Sequence, residues 1–319
     1  MKTAIIGMGV ISKVHRRVLS EQNKNIVAVC DVKAEKASIL PNVPFYTDYK
    51  EMLEKEKPDV VHICTPHYLH AEMVIYALKH NINVLCEKPL CMKKEEIARI
   101  LEAEEKSSAQ LGVCFQNRYK YCNAYVKEFL SDKEVTGAIG FVPWKRDAEY
   151  YNSGEWRGTW AQEGGGVLIN QAIHTLDLLQ WFLGVPETIT ASSSNLVLKD
   201  AIEVEDTITL TATGKNPFML FATNALTVSF STEIKIKTAE DLIRICDNKV
   251  EINGEAVYVE QNVQYNGKPC YGNGHGDLIA DFYDCLETGR KFPIDGKEAS
   301  KAVQLVLAAY ESNGNTIKI

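Results

Sequence analysis

Two rhythms of apolar residues divide the chain. Over the first third, short runs that are apolar almost without interruption (TAIIG at 3–7, IVAVCD at 26–31, DVVHICTP at 59–66, INVLCEKP at 82–89, LGVCF at 111–115) alternate with amphipathic stretches at 10–20, 69–80 and 93–107. A strand apolar on both sides is covered on both faces, and such strands alternating with helices are the pattern of a parallel sheet between helical layers. The spacing predicts a doubly wound α/β domain over 1–120. After a further helix at 121–130 the rhythm changes. TITLTAT (207–213), PFMLFATNA (217–225), TVSFSTEIKI (227–236) and DLIRICD (241–247) have alternating or β-branched composition with turn signals between them. They read as strands of a mostly antiparallel open sheet. With a helix predicted at 167–183, they make 121–319 a second, α+β domain; near its end, 272–290 reads as a capped helix and 293–312 as another amphipathic one.

The first turn of the α/β domain carries Gly7-Met8-Gly9-Val10-Ile11-Ser12 between a strand and a helix. In that context Gly7 permits the tight turn, Gly9 lets the backbone come close to a pyrophosphate, and the helix start supplies unpaired N–H groups with a positive dipole end. Ser12 stands where Gly or Ala is usual and is still small enough for close helix–strand packing. Asp31, 22 residues after Gly9, ends the second strand. Its carboxylate can accept hydrogen bonds from an adenosine ribose and would repel a 2'-phosphate, which predicts NAD rather than NADP, although Lys33 and Lys36 lie near enough to accommodate a phosphate. The alternative role for Asp31 is the N-cap of a helix at 33–40.

In such a sheet, ligands bind outside the carboxyl ends of the strands. Thr65-Pro66-His67, Glu87-Lys88-Pro89 and Gln116-Asn117-Arg118 end the fourth, fifth and sixth strands and are expected at one cleft. His62 reads as packed inside its strand and His70 as an ordinary polar residue of the next helix. Gln116, Asn117 and Arg118 touch either the nicotinamide ribose and substrate or a domain linker. Beyond, the helix at 167–183 carries Asn170, His174 and Asp177 at i, i+4 and i+7, which aligns three polar groups on one stripe. Gly164-Gly165-Gly166 ahead of it allow another backbone or a ligand to come close. Arg157 can pair with a carboxylate or phosphate, and Trp160, Tyr150 and Tyr151 are either ring-face contacts for a sugar or core. His275, at the start of the 272–290 helix, is a further candidate.

With GMGVIS, Asp31, CTPHYLH, CEKPL, the segment ending QNR, and GGGVLINQAIHTLD, the chain resembles the glucose-fructose oxidoreductase / inositol dehydrogenase (Gfo/Idh/MocA) family over essentially its whole length. The EKP and GGG-x-L-x-x-x-x-x-H-x-x-D motifs are more specific than the nucleotide turn. The resemblance implies an NAD(P)-dependent oxidoreductase acting on a secondary hydroxyl or ketone of a sugar or cyclitol. It implies that Lys88 reaches the substrate hydroxyl and that Glu87 holds the cofactor side of the cleft. Thr65, Pro66 and His67 neighbour the cofactor, with Gly7, Met8, Gly9, Val10, Ile11, Asp31 and Gln116; Arg118, Arg157 and Trp160 are expected at the substrate. His174 is implied as general base, assisted by Asn170. Many family members carry Asp where Asn170 stands, and asparagine orients a hydroxyl but carries no proton, so a three-member relay does not carry over intact.

Composition narrows the partners. The chain has 319 residues, 45% of them hydrophobic, and its net charge of −7 includes no long block of one sign, which argues against nucleic acid or an acidic membrane as partner. No run reaches the roughly 18 apolar residues of a membrane helix, and the start lacks the features of a signal peptide, so a cytoplasmic location is expected. Nine cysteines without a C-x-x-C pair fit reduced thiols, and no metal is expected. An open sheet with an uncovered apolar face predicts a homo-oligomer, dimer or tetramer. Two rival functions share the same residues: a glycosidase that uses NAD transiently, and a non-catalytic dinucleotide-binding regulator.

Overall fold

The computed structural model describes residues 1–259 and 274–319. The chain forms two compact units: Met1–Tyr119 with the described part of Gln264–Ser300, and Lys120–Val263, described through Val259, with Lys301–Ile319. The sequence predicts one domain for everything beyond 120; residues 274–300 instead pack with the first unit.

In the first unit β1 (Lys2–Ile6), β2 (Asn25–Cys30), β3 (Phe45–Tyr46), β4 (Val60–Ile63), β5 (Asn83–Cys86) and β6 (Leu111–Val113) form one sheet. Every pair is parallel and the order is β3-β2-β1-β4-β5-β6, so the order reverses between β1 and β4. Four helices, α1 (Ser12–Glu21), α2 (Tyr49–Glu56), α3 (His70–Lys79) and α4 (Lys94–Lys106), connect the strands. Their buried stripes, such as Val14, Val18 and Leu19 of α1, cover β-sheet positions that are themselves fully buried, such as Val60, Val61 and Ile63 of β4. Each such side chain contributes about 1.5–3 kcal/mol. The helix predicted at 33–40 is a short 3-10 helix, Ala34–Ile39, with no buried residue, because AEKASI has no apolar face to bury.

The second unit opens with α5 (Tyr121–Phe129), β7 (Val135–Pro143) and α6 (Ala148–Asn152). The helix predicted at 167–183 is not uniform: Leu168–Ala172 form a π-helical turn, and α7 (Ile173–Leu183) follows. Next come β8 (Thr188–Ser194), β9 (Thr207–Thr213), β10 (Phe218–Thr223), β11 (Glu233–Thr238), β12 (Leu242–Cys246), β13 (Lys249–Ile252) and β14 (Glu255–Val259). The predicted strand at 227–236 begins only at Glu233. With β15 (Thr316–Lys318) they make a nine-stranded sheet in which β7 and β10 are the parallel pair and the other pairs are antiparallel. In β9 Ile208, Leu210 and Ala212 are buried while the threonines between them face outward, the period-two pattern of a sheet covered on one side. Gly140 of β7 lies so close to Thr175 and Leu179 of α7 that a Cβ there would come within 2.8 Å of the Thr175 methyl. That glycine lets α7 lie against the sheet.

The first unit is completed by α8 (Gly274–Thr288) and the start of α9 (Gly296–Ser312). The cap predicted ahead of α8 lies outside the described residues. Phe282 of α8 and Phe292 meet edge to face at 5.1 Å over Gly112 of β6, where any side chain would strike their rings. The Val113 N–H donates to the Ile294 carbonyl at 3.0 Å, so the returning chain is hydrogen-bonded to the last strand. Among the described residues no helix is long and apolar enough to cross a membrane.

Candidate active site

Gly7 and Gly9 turn out to be glycines for different reasons. Gly7 has φ +89°, and a Cβ there would stand 2.6 Å from the Cys64 carbonyl oxygen, so the convergence of β1 and β4 itself excludes a side chain. A Cβ on Gly9 would meet nothing within 4 Å, and its φ is not left-handed. Gly9 and Val10 are exposed, and no side chain caps the N-terminus of α1. Among the described residues nothing requires a glycine at 9; an open backbone beneath a helix end without a side-chain cap is a cradle for an anion. Asp31 ends β2 and binds both sides of this turn, accepting from the Met8 N–H at 2.8 Å and the Lys33 N–H at 3.0 Å. It is not the N-cap of the 3-10 helix, whose cap residue is Lys33.

Thr65 and Pro66 are half-buried beyond β4, and His67 is buried in the short turn that follows. His70, which the sequence assigns no role, ties two loops together: Nδ1 lies 2.7 Å from the Pro89 carbonyl and Nε2 lies 2.9 Å from the Thr65 carbonyl. Burial holds its pKa below the ordinary histidine value even though both carbonyls oppose that. Lys88 is half-buried at the end of β5, next to the buried Glu87. Gln116 is buried, its side-chain oxygen has no hydrogen-bond partner among the described residues, and its carbonyl lies where a Cβ on Gly274 would be. A buried acceptor of this kind awaits a donor, and a carboxamide N–H supplies one. Together with the Gly9 cradle, it fits a dinucleotide. The buried guanidinium of Arg118 pairs with Glu298 at 3.0 Å.

In the second unit the triple glycine is demanded by the fold. A Cβ on Gly165 would overlap the Tyr310 hydroxyl, and one on Gly166 would overlap the Glu205 carbonyl. The Glu205 carboxylate accepts from the N–H groups of Gly166 (2.8 Å) and Leu168 (2.9 Å) and from the Tyr310 hydroxyl (2.9 Å). It thereby serves as the cap that the Leu168 helix start lacks locally. Burial nevertheless pushes Glu205 up to about 7. Past this anchor the π-turn carries half-buried Asn170, and the first turn of α7 carries half-buried His174. The π-turn puts any shift of helical phase between Asn170 and His174; Asp177, three residues on from His174 within regular α7, is buried and accepts from Gln180.

Asn170 donates to Glu163, a fully buried carboxylate that also accepts the Gly158 N–H at 2.5 Å. The Tyr150 hydroxyl receives Arg157 at 2.7 Å and Gln171 at 3.2 Å, and the guanidinium of Arg157 lies 4.5 Å from the Tyr150 ring centre. Asn170, Arg157 and Tyr150 are therefore one cluster. Tyr151 is core: it is 3% exposed, packs with Leu198, Ile202 and Val204, and receives Asn224 on its hydroxyl. Trp160 is 45% exposed, its ring edge-to-face with Tyr310 and its N–H on the Glu203 carbonyl. Glu163 sits immediately before the glycines and was within reach of sequence reasoning; Glu205 and Tyr310 were not.

Residues 1–115 match the family model described as the oxidoreductase family's NAD-binding Rossmann fold, and residues 129–259 match the GFO/IDH/MocA C-terminal domain. The chain is 23% identical over 325 aligned residues to the uncharacterized oxidoreductase YrbE of Bacillus subtilis, covering 97% of this chain and 93% of that one. It is 32% identical to the D-glucoside 3-dehydrogenase of Escherichia coli over 58% of this chain and 55% of the relative, so that match spans about half of each. Among solved structures, the WlbA dehydrogenase from Chromobacterium violaceum, in complex with NADH and UDP-GlcNAcA, superimposes with a TM-score of 0.88 at 26% identity, covering 100% of this chain and 96% of that one. Sheet order, both family models and full-length similarity agree that this chain belongs to the Gfo/Idh/MocA oxidoreductase family.

Proposed function

We propose that the protein is an NAD-dependent dehydrogenase that moves hydride between the nicotinamide and a secondary hydroxyl, or the matching ketone, of a sugar, sugar derivative or cyclitol. The observation that carries the cofactor reading is Gly9, a glycine that packing among the described residues does not need. Gly7, Met8, Val10 and Ile11 complete its turn, Thr65, Pro66 and His67 follow the end of β4, and Gln116 offers a buried acceptor. The Glu87 carboxylate, expected on the cofactor side, is instead buried against His15 and His275. The Asp31 carboxylate favours NAD over NADP by repelling a 2'-phosphate.

Bound NAD supplies the hydride acceptor. The Lys88 ammonium donates to the substrate oxygen and stabilises its alkoxide character as the C–H bond weakens. His174, as a neutral imidazole, takes the hydroxyl proton. Asn170 orients that hydroxyl, and the hydrogen bond from its amide to buried Glu163 fixes the amide's direction. Exposed Trp160 and the Arg157–Tyr150 cluster are the substrate-side surfaces of the second unit. Arg118, held by Glu298, leaves the substrate set. The names of the D-glucoside 3-dehydrogenase and of the UDP-GlcNAcA complex support a pyranose substrate.

The decisive experiment is a screen of polyols, glucosides, uronates and nucleotide sugars with NADH fluorescence as readout, run with wild type, Lys88→Ala and His174→Ala. NADH accumulation that both substitutions abolish while NADH binding persists supports the assignment. Aglycone release without net NADH identifies the glycosidase, and cofactor binding without any turnover identifies a regulator. We also propose a cytoplasmic homo-oligomer. Strand register aligns Met219 with Ile139 and Phe221 with Phe141 on the sheet face away from α7, and Met219 is 50% exposed. Such an apolar stripe is buried most simply against a second copy; sedimentation of Met219→Lys tests it.

A further inference from the structure

The carboxylate of Glu87 ends inside the first unit, among side chains that the catalytic assignment leaves unused. His15 of α1 lies 3.0 Å from Glu87 Oε1 through Nε2, and His275 of α8 lies 3.3 Å from the same oxygen through its own Nε2. The second ring nitrogen of His15 faces His62 Nδ1 at 2.8 Å; His62 Nε2 faces the Tyr283 hydroxyl at 3.2 Å, which meets Thr3 Oγ1 at 2.6 Å. All six side chains are buried. The other Glu87 oxygen receives the backbone N–H of Lys88 at 3.3 Å, and the Glu87 N–H donates to the Ile63 carbonyl at 2.9 Å.

Several proton arrangements satisfy these contacts, and two frame the choice. In one, neutral His15 donates to Glu87, and the remaining hydrogen bonds run from Thr3 through Tyr283 and His62 toward His15. The network then carries a net negative charge. In the other, His15 is an imidazolium donating from both nitrogens, His62 accepts on Nδ1 and donates from Nε2 to Tyr283, and the network is neutral. Burying an unpaired carboxylate is far more costly than burying a hydrogen-bonded ion pair, which disfavours the first arrangement. Placing the proton on Glu87 or on His62 would also keep the network neutral, but both groups are held well below their ordinary values, so the proton belongs on His15. The shifts agree. Burial lowers His15, but the Cys64 and Cys114 thiols and Glu87 outweigh it and hold His15 well above the ordinary value. Burial raises Glu87, but the hydrogen bonds from His15 and His275 pull it well below. His62 and His275, lowered chiefly by burial, stay neutral.

We propose that His15 and His275 are positioning residues: through the buried carboxylate of Glu87 they fix the Glu87–Lys88–Pro89 turn at the end of β5, and with it the lysine. His70 holds the Pro89 carbonyl from the other side, so Lys88 lies between two anchored neighbours. Local sequence brings none of this together, since His275 is separated from Glu87 by 188 positions. The proposal rests on the assignment of Lys88 to the substrate oxygen for its purpose, but its test does not need a substrate.

Nitrogen NMR of histidine-labelled full-length protein at pH 8 should show His15 doubly protonated and His275 neutral with its proton on Nε2. Amide exchange should be slow at Lys88 and about tenfold faster in His275→Leu, the loss of one hydrogen-bonded anchor. It should return to within about twofold of wild type in His275→Gln, which keeps a donor, while the Val84 and Val113 amides of the sheet stay unchanged in both. A neutral His15, Lys88 exchange indifferent to His275→Leu, or acceleration spread equally over the sheet overturns the proposal. So does one equivalent of a divalent metal in the purified protein by elemental analysis, because the three atoms of His15, Glu87 and His275 that lie within 4.8 Å of one another would then be its ligands. Should the exchange results come out as expected while Lys88→Ala keeps full turnover, the positioning stands and the catalytic assignment falls.

Discussion

Replacing Gly9 by alanine separates what the fold requires from what the cofactor requires. At Gly9 a Cβ meets nothing within 4 Å and the backbone is not left-handed, so alanine fits the folded protein. By restricting the unfolded chain it should stabilise the protein by about 0.4–1 kcal/mol. The added methyl stands in the open space above the turn, where a pyrophosphate has to approach the α1 N–H groups. NADH affinity should fall at least about tenfold, equivalent to about 1.4 kcal/mol. Gly7→Ala should do the reverse of the first effect. A left-handed alanine costs about 1–2 kcal/mol. Its Cβ, 2.6 Å from the Cys64 carbonyl, would also strain the neighbouring Gly7–Cys30 and Met8–Asp31 hydrogen bonds, each 2.8 Å. At about 0.5–1.5 kcal/mol per bond the total is about 2–5 kcal/mol. Urea denaturation gives the stabilities and NADH fluorescence titration the affinities. Undiminished NADH affinity in Gly9→Ala would mean that the pyrophosphate does not approach this turn, and wild-type stability in Gly7→Ala would mean that the β1–β4 convergence tolerates a side chain.

Other consequences can be measured on the same preparations. Gly166→Ala drives a Cβ into the Glu205 carbonyl and breaks the two N–H bonds to its buried carboxylate; at about 1–3 kcal/mol per stranded group, denaturation should show a loss of at least about 3 kcal/mol. Gly184→Ala, at φ +90° and ψ 173° where nothing among the described residues obstructs a Cβ, should lose about 1–3 kcal/mol from backbone strain alone. Arg118→Ala should cost about 2 kcal/mol, on the low side for a buried pair because Glu298 reaches solvent, and should leave NADH affinity unchanged; a drop in affinity would return Arg118 to the cofactor. His62, His70 and His275 have folded-state pKa values lowered chiefly by burial, so their contribution to stability is complete above the unfolded value of 6.5 and is lost as pH falls below it. Glu205, raised to about 7, opposes one of these protons between 4.5 and 7. His62→Gln should therefore reduce the acid slope of stability by about 1.4 kcal/mol per pH unit, read from denaturation curves between pH 5 and 6.5. A slope unchanged by that substitution would place the proton uptake elsewhere.

The local elements and the residues at their ends were legible in the order of amino acids alone. The apolar runs at 26–31, 59–66 and 82–89 became β2, β4 and β5, so Asp31, Thr65 and Lys88 fell at the carboxyl ends where their spacing put them. This was legible because a buried strand or an amphipathic helix declares itself within about ten residues through its own periodicity. Which distant groups met there depended on how the chain packs in three dimensions. It returned 274–300 to the first unit and set His275 on Glu87, and it paired Arg118 with Glu298. In the second unit it put Glu205 and Tyr310 against the triple glycine and moved Tyr151 into the core. Those contacts join residues far apart along the chain, and no local pattern encodes them. They follow from filling the interior without voids and from satisfying each buried polar group, conditions that apply only once the whole chain has closed upon itself.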